Sequence, residues 1–325
     1  MLEHGAKART SAKTRLIDFV GNNAVPLIML ALSTVVAILY PRFLTVANFR
    51  NILNQISVIG CLACGITFVL LLGCIDLSVG AMMSLIGIIA VTLANQGREM
   101  AAITLPVLAA GAIGLVKGGL LAGINGRLGE SFIITYGAQS VLAALALIIQ
   151  GGLFMMVTAT GVFTQIGKGT NPAWAFFLLI AICQALLTLT PFGRRLMFVG
   201  SNPAAARLSG INVGLYFAAA FTLCGLISGV AGVLLPSRVM SANPTAGTGY
   251  ELDAIAACVV GGVSMKGGSG SFVNTLVGVM VMGVLSNAMN LLGLSTYPQM
   301  IVKGLVIALA FALDVMNKSR KARRG

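Results

Sequence analysis

Residues 208–237 read LSGINVGLYFAAAFTLCGLISGVAGVLLPS, a run of 30 positions without one charged side chain. A helix needs about 20 mostly apolar residues to cross a bilayer, so this run is long enough to span. The same reading extends in both directions. Charge-free windows also cover 19–41, 51–75, 77–97, 100–116, 131–167, 169–193 and 267–302. The windows at 131–167 and 267–302 exceed one span and include loop. Spans are expected at 24–40, 51–73, 79–95, 101–124, 131–150, 173–190, 213–235, 250–263, 271–292 and 298–316. The fold class is therefore an all-α polytopic membrane protein of about ten helices. The eighth is short for a span: it is expected either to cross only part of the bilayer or not to be a full span.

Composition agrees. Of 325 residues, 58% are apolar and 9% charged, against about 25% charged in soluble domains. Mean hydropathy is +0.98. These values exclude a water-soluble enzyme, a disordered chain and a nucleic-acid binder. About half of the net charge of +13 lies in two short tails, 1–23 and 317–325, which flank a membrane domain at 24–316. The first 18 residues are polar and the apolar run after them is too long for a signal-peptide core, so no cleavable leader is expected.

Basic residues set orientation. Both tails are basic, so both ends are expected in the cytoplasm. With ten spans, Arg127, Arg194, Arg195, Arg207 and Lys266 join them, while Arg42, Arg50, Arg98, Lys168 and Arg238 lie outside. Lys117 and Lys303 fall inside spans, near enough to an end to snorkel.

Chemistry-bearing motifs are few. His4 is the only histidine, and Cys61-Leu-Ala-Cys64 has no second pair or His beside it. It reads as two small residues one turn apart. Gly161 to Lys168 lacks phosphate-loop spacing and has Gly169 where Ser or Thr belongs, so the chain is not expected to bind ATP. Small-xxx-small pairs at Gly114/Gly118, Gly119/Gly123 and Gly225/Gly229 suit close helix packing.

Four segments invite function. In 191–212, PFGRRLMFVGSNPAAARLSGIN, Asn202 is a good N-cap and Pro203 fits the first helical position. Ala204 to Leu208 favour helix, and Gly210 can close it left-handed. A two-turn helix on the cytoplasmic face is expected, too short to stand without a neighbour. Asp76 lies in GCIDLSVG; it is either functional or an N-cap for the third span, with Ser78 assisting. Glu251 and Asp253 open the eighth span, where a helix N-terminus favours acids. The stretch 261–271, GGVSMKGGSGS, reads as a turn where backbones approach closely. These features describe a transporter or channel component without its own energy source.

GCIDLSVG (73–80), LAGINGRL (121–128), GSNPAAARLSGINV (200–213), GYELDAIAACVVGGVSMKGGSGS (249–271) and NLLGLSTYPQMIVKG (290–304) together resemble the permease of ribose-type sugar ABC importers. The likeness runs from about residue 45 to 315. It implies a type II importer-like fold, similar to the cobalamin importer permease, in a bacterial inner membrane. It implies a second permease chain, identical or different, a periplasmic sugar-binding protein and a cytoplasmic ATPase that holds ATP and Mg. The segment 201–212 matches the family's coupling segment, with Ser201, Asn202, Pro203, Ala205, Arg207 and Gly210 as its contacts. Asp76, Ser78, Asn125, Glu251 and Asp253 match family motifs and are translocation-path candidates. The chain departs from the family's Pro-Pro-Phe-Ile and Thr-Leu-Gly-Thr at Glu130-Ser131-Phe132-Ile133 and Thr135-Tyr136-Gly137-Ala138. A monosaccharide cargo is implied, whether pentose, hexose or small polyol. The alternative is an ion-coupled secondary carrier, which needs ion-binding acids near the midplane.

Overall fold

The computed structural model describes residues 33–306, except Asn125, Arg127 and Thr296, and also Ala308. The two basic tails, the start of the 24–40 span and the later part of the last one lie outside the described residues.

Six helices are long and apolar enough to cross a membrane. They are α1 (Val46–Leu71), α3 (Glu99–Gly123), α4 (Leu128–Gln150), α6 (Asn171–Leu189), α9 (Val213–Val239) and α11 (Phe272–Leu291). Between them lie α2 (Val79–Asn95) and α10 (Tyr250–Gly261), of 17 and 12 residues. On that measure the described residues supply six spans, not ten. Short helices α5 (Val162–Ile166), α7 (Pro191–Ser201) and α8 (Pro203–Leu208) sit in connections. Helical stretches at 33–39 and 297–306 begin and end the described chain. One two-residue ladder departs from the all-α expectation: β1 (Met155–Met156) pairs antiparallel with β2 (Ser241–Ala242).

The helices divide by what surrounds them. In its most apolar stretch α1 is 78% buried within the protein, whereas α4 is only 17% buried. From Ile56 to Leu71 every side of α1 is covered, which suits a helix apolar all round. By contrast, α3, α4 and α6 expose Leu105, Leu108, Ile133, Ile148, Leu178 and Ile182. That apolar skirt fits lipid contact, since hydrocarbon is as good a solvent as a core for these side chains.

Glycine brings α3 and α9 together. A Cβ at Gly114 would meet the Phe221 carbonyl, and one at Gly225 the Ala110 carbonyl. Both the Gly114/Gly118 and the Gly225/Gly229 pair thus lie in the α3–α9 contact, where Gly225 meets Gly114. Gly119 and Gly123 face open space, so that pair has no such contact.

The two ends of the bundle differ. One gathers 95–99, β1, α5 and β2. There the Asn95 side chain bonds the Met156 carbonyl and the Thr158 N–H, and Glu99 accepts from the Phe163 N–H. At the other end, the end of α1, the α7–α8 pair and the 262–271 turn meet. The eleven-residue α7 was not expected from the sequence. Thr190 caps it by accepting from the Gly193 N–H.

Candidate functional site

Two stretches leave helical geometry inside the bundle. Backbone groups without water must find protein partners, so such breaks persist only where they are satisfied. The first follows α1. Gly73 closes that helix at φ +74°, and residues 74–77 then run without helical bonds to α2. The Ile75 N–H donates to Ser131 Oγ at 3.1 Å, and the Leu77 N–H to Thr135 Oγ1 at 3.2 Å. Ser131 and Thr135 stand one turn apart on α4, so one helix face serves both donors. Ser131 occupies a departure from the family pattern, and at that position it holds the break.

Asp76 is fully buried in this break. Its Oδ1 accepts from the Ser78 N–H at 2.9 Å and the Ser78 hydroxyl at 2.6 Å. Its Oδ2 pairs with Lys117 Nζ at 2.5 Å, and Lys117 also donates to Ser78 Oγ at 2.6 Å. Lys117 does not snorkel: it is 3% exposed. Its charge is met by Asp76 instead of by headgroup water. The expected cap is also revised. Ser78 is the N-cap residue of α2 but makes no side-chain cap bond; Asp76 ties down its N–H from two residues upstream.

The second stretch, 243–249, leads into α10. Gly249 adopts φ +86°, and its N–H donates to Glu251 Oε1 at 3.2 Å. The Gly247 N–H donates to Ser84 Oγ at 2.8 Å. Gly80 leaves the space that Glu251 Oε2 and the Gly247 carbonyl fill. Glu251 is 6% exposed, and its Oε2 is buried with no hydrogen-bond partner. Asp253 points elsewhere, to Lys303 Nζ at 2.6 Å, so Lys303 is also held by an acid. Farther along α10, Cys258 donates to the Ala63 carbonyl, and Thr67 meets Thr275 at 2.7 Å. These contacts fasten α10 and α11 to α1.

The expected two-turn helix is α8. Asn202 accepts from the Ala205 N–H at 3.0 Å, and Gly210 sits at φ +76°. Leu208 is 92% exposed, while Ala206 is buried against the bundle. Ser201, Asn202, Pro203, Ala205, Arg207 and Gly210 therefore share one small surface segment. Asp76 and Ser78 share the sealed break. Glu251 and Asp253 share a turn but face different partners. Asn125 lies outside the described residues.

Sequence reading missed Lys117, Ser131, Thr135, Ser84 and Lys303. A lysine inside an apolar helix was itself a signal, because such a charge demands a partner. Among the described residues no group of three His, Cys, Asp or Glu could hold a metal ion, and Cys61 and Cys64 are buried thiols.

Residues 48–311 match the family described as the permease component of branched-chain amino acid transport systems. The chain belongs to this family. The permease is 39% identical over 296 residues to the ribose import permease RbsC of Escherichia coli K12, covering 88% of this chain and 91% of that one. It is 41% identical over 293 residues to RbsC of Bacillus subtilis, with 86% and 88% covered. It is 34% identical over 322 residues to the L-arabinose permease AraH of Azospirillum brasilense, with 97% and 94% covered. No solved structure matches the permease.

Proposed function

We propose that this permease is the membrane subunit of an ATP-driven importer that carries a monosaccharide across the bacterial inner membrane. The observation that carries this reading is near full-length likeness to permeases named for ribose import and for an L-arabinose ABC transporter. The ionic arrangement agrees with it. Asp76, the acid that an ion-coupled carrier would use early in the chain, is already neutralised by Lys117.

In this reading the chain crosses the membrane about ten times in a type II importer-like arrangement, with both termini in the cytoplasm. The helices at 33–39 and 297–306, together with α2 and α10, add to the six long spans. The permease works as a dimer with an identical or related chain. A sugar-binding protein delivers cargo outside, and a separate ATPase holds ATP and Mg inside. The α8 segment docks in a groove of that ATPase: Leu208 offers an exposed apolar contact, and a capped two-turn helix suits groove recognition. ATP closes the ATPase pair, and the displacement of α8 biases the permease between inward- and outward-facing states. Glu251 and Asp253 are the path candidates kept. Asp76 and Ser78 serve as a pin that holds the break.

The test is purification of the tagged permease from its native membrane in mild detergent, with identification and ATPase assay of what accompanies it. A copurifying ATPase is expected, and Arg207→Ala or Gly210→Pro is expected to uncouple hydrolysis from sugar uptake. A permease that purifies alone and moves solute into liposomes without ATP would overturn the reading.

A further inference from the structure

Three backbones meet where α8 joins the bundle. A Cβ at Gly200 would run into the Leu71 carbonyl, one at Gly267 into the backbones of Gly73 and Gly200, and one at Gly268 into Ser201. The Gly268 N–H donates to the Leu71 carbonyl at 2.8 Å. Gly267 and Gly268 also hold φ +84° and +72°, which side chains rarely adopt. At this junction the α7–α8 corner, the end of α1 and the 262–268 turn touch largely main chain to main chain, with only the short Ser201 side chain among the contacts.

Two elements leave the junction and meet again deeper in the bundle. One is 73–80, carrying Asp76. The other is the 262–268 turn with α10, carrying Glu251 at its far end. Gly80 abuts Glu251 and Gly247 there. The elements thus form a closed ring: junction, 73–80, the Gly80 contact, α10, turn, junction. Closely packed interiors transmit displacement because they do not deform continuously. The other exit from α8 runs through 209–212 into α9. There the Ile211 N–H donates to the Ala206 carbonyl at 3.0 Å, Asn212 caps α9, and a Cβ at Gly210 would meet nothing within 4 Å.

We propose that displacement of α8 enters the membrane through the Gly200–Gly268–Leu71 junction and moves 73–80 and α10 as one body relative to α9. Gly200, Gly267 and Gly268 are then positioning residues for transport. The inference rests on α8 as the ATPase-facing segment.

The test uses the complete complex in proteoliposomes. Wild type must first show ATP-dependent sugar uptake; its failure would count against the proposed function and leave the junction aside. Gly200→Ala keeps a helical backbone and adds only the methyl that meets Leu71. It is expected to lower sugar moved per ATP at least tenfold while the ATPase still copurifies and hydrolyses ATP. Gly119→Ala, facing open space, is expected to leave that ratio unchanged. A Gly200→Ala ratio equal to wild type would overturn the proposal. A second measurement avoids altered packing. The six native cysteines in the described chain are buried, so spin labels at Leu208→Cys, Lys266→Cys and Leu215→Cys report distances in pairs. With ATP trapped, 208–266 is expected to hold while 266–215 changes. A change in 208–266, or no response in either pair, would overturn the proposal.

Discussion

The 74–77 break and the 243–251 entry to α10 each place a carboxylate where water scarcely reaches, yet their surroundings differ. Around Asp76 both oxygens are answered, and a lysine balances the charge. Around Glu251 one oxygen is bonded to the Gly249 N–H and the other has no partner. A buried charge persists when it is paired and bonded. The first region therefore reads as a pin that fixes one backbone path, and the second as a packing contact held without an ion pair.

The comparison breaks most strongly at Lys117. Lys117→Met leaves Asp76 charged and unpaired, and removing one partner of a buried pair costs about 3–5 kcal/mol. A large fall in thermal midpoint of the detergent-purified permease is expected. Adding Asp76→Asn is expected to restore most of it, and a double variant as unstable as the single would argue against the pin. Thr135→Val removes the acceptor of the Leu77 N–H, and an orphaned buried donor costs about 1–3 kcal/mol. The same midpoint, read beside Lys117→Met, is expected to shift less. Asp253→Asn leaves Lys303 without its acid in a pair less covered than Lys117–Asp76, so a loss of about 1–2 kcal/mol is expected, between the surface and buried cases. The smallest effect belongs to Glu251→Gln. The amide keeps an oxygen for the Gly249 N–H and removes the unmatched charge. Stability is expected to hold or rise by up to about 1 kcal/mol, and a fall comparable to that of Lys117→Met would erase the contrast between the two regions.

Much of this was legible in the residues. The cap at Asn202, Pro203 after it and the left-handed Gly210 defined α8, because capping is local chemistry. The charge-free windows located α3, α4, α6 and α9 closely, because a bilayer imposes length and apolarity on each span separately. The helix α7 was missed, since Pro191 and two arginines read as loop; its amphipathic face is visible only once Leu196 and Val199 have something to cover. Lys117 was misread because snorkelling and pairing look alike in one dimension. Choosing between them required knowing that Asp76, 41 residues away, lies within bonding distance.

The sequence by itself determined that this chain is a helical membrane permease, where most of its helices lie, and that α8 is a capped surface turn. Those properties follow from composition, length and neighbours within a few positions. The tertiary structure decided which buried charges are matched, that Ser131 and Thr135 satisfy the break, and that three glycine-lined backbones meet beneath α8. Each depends on distance between residues far apart in the chain, and inside a membrane that distance separates a charge with a partner from one without.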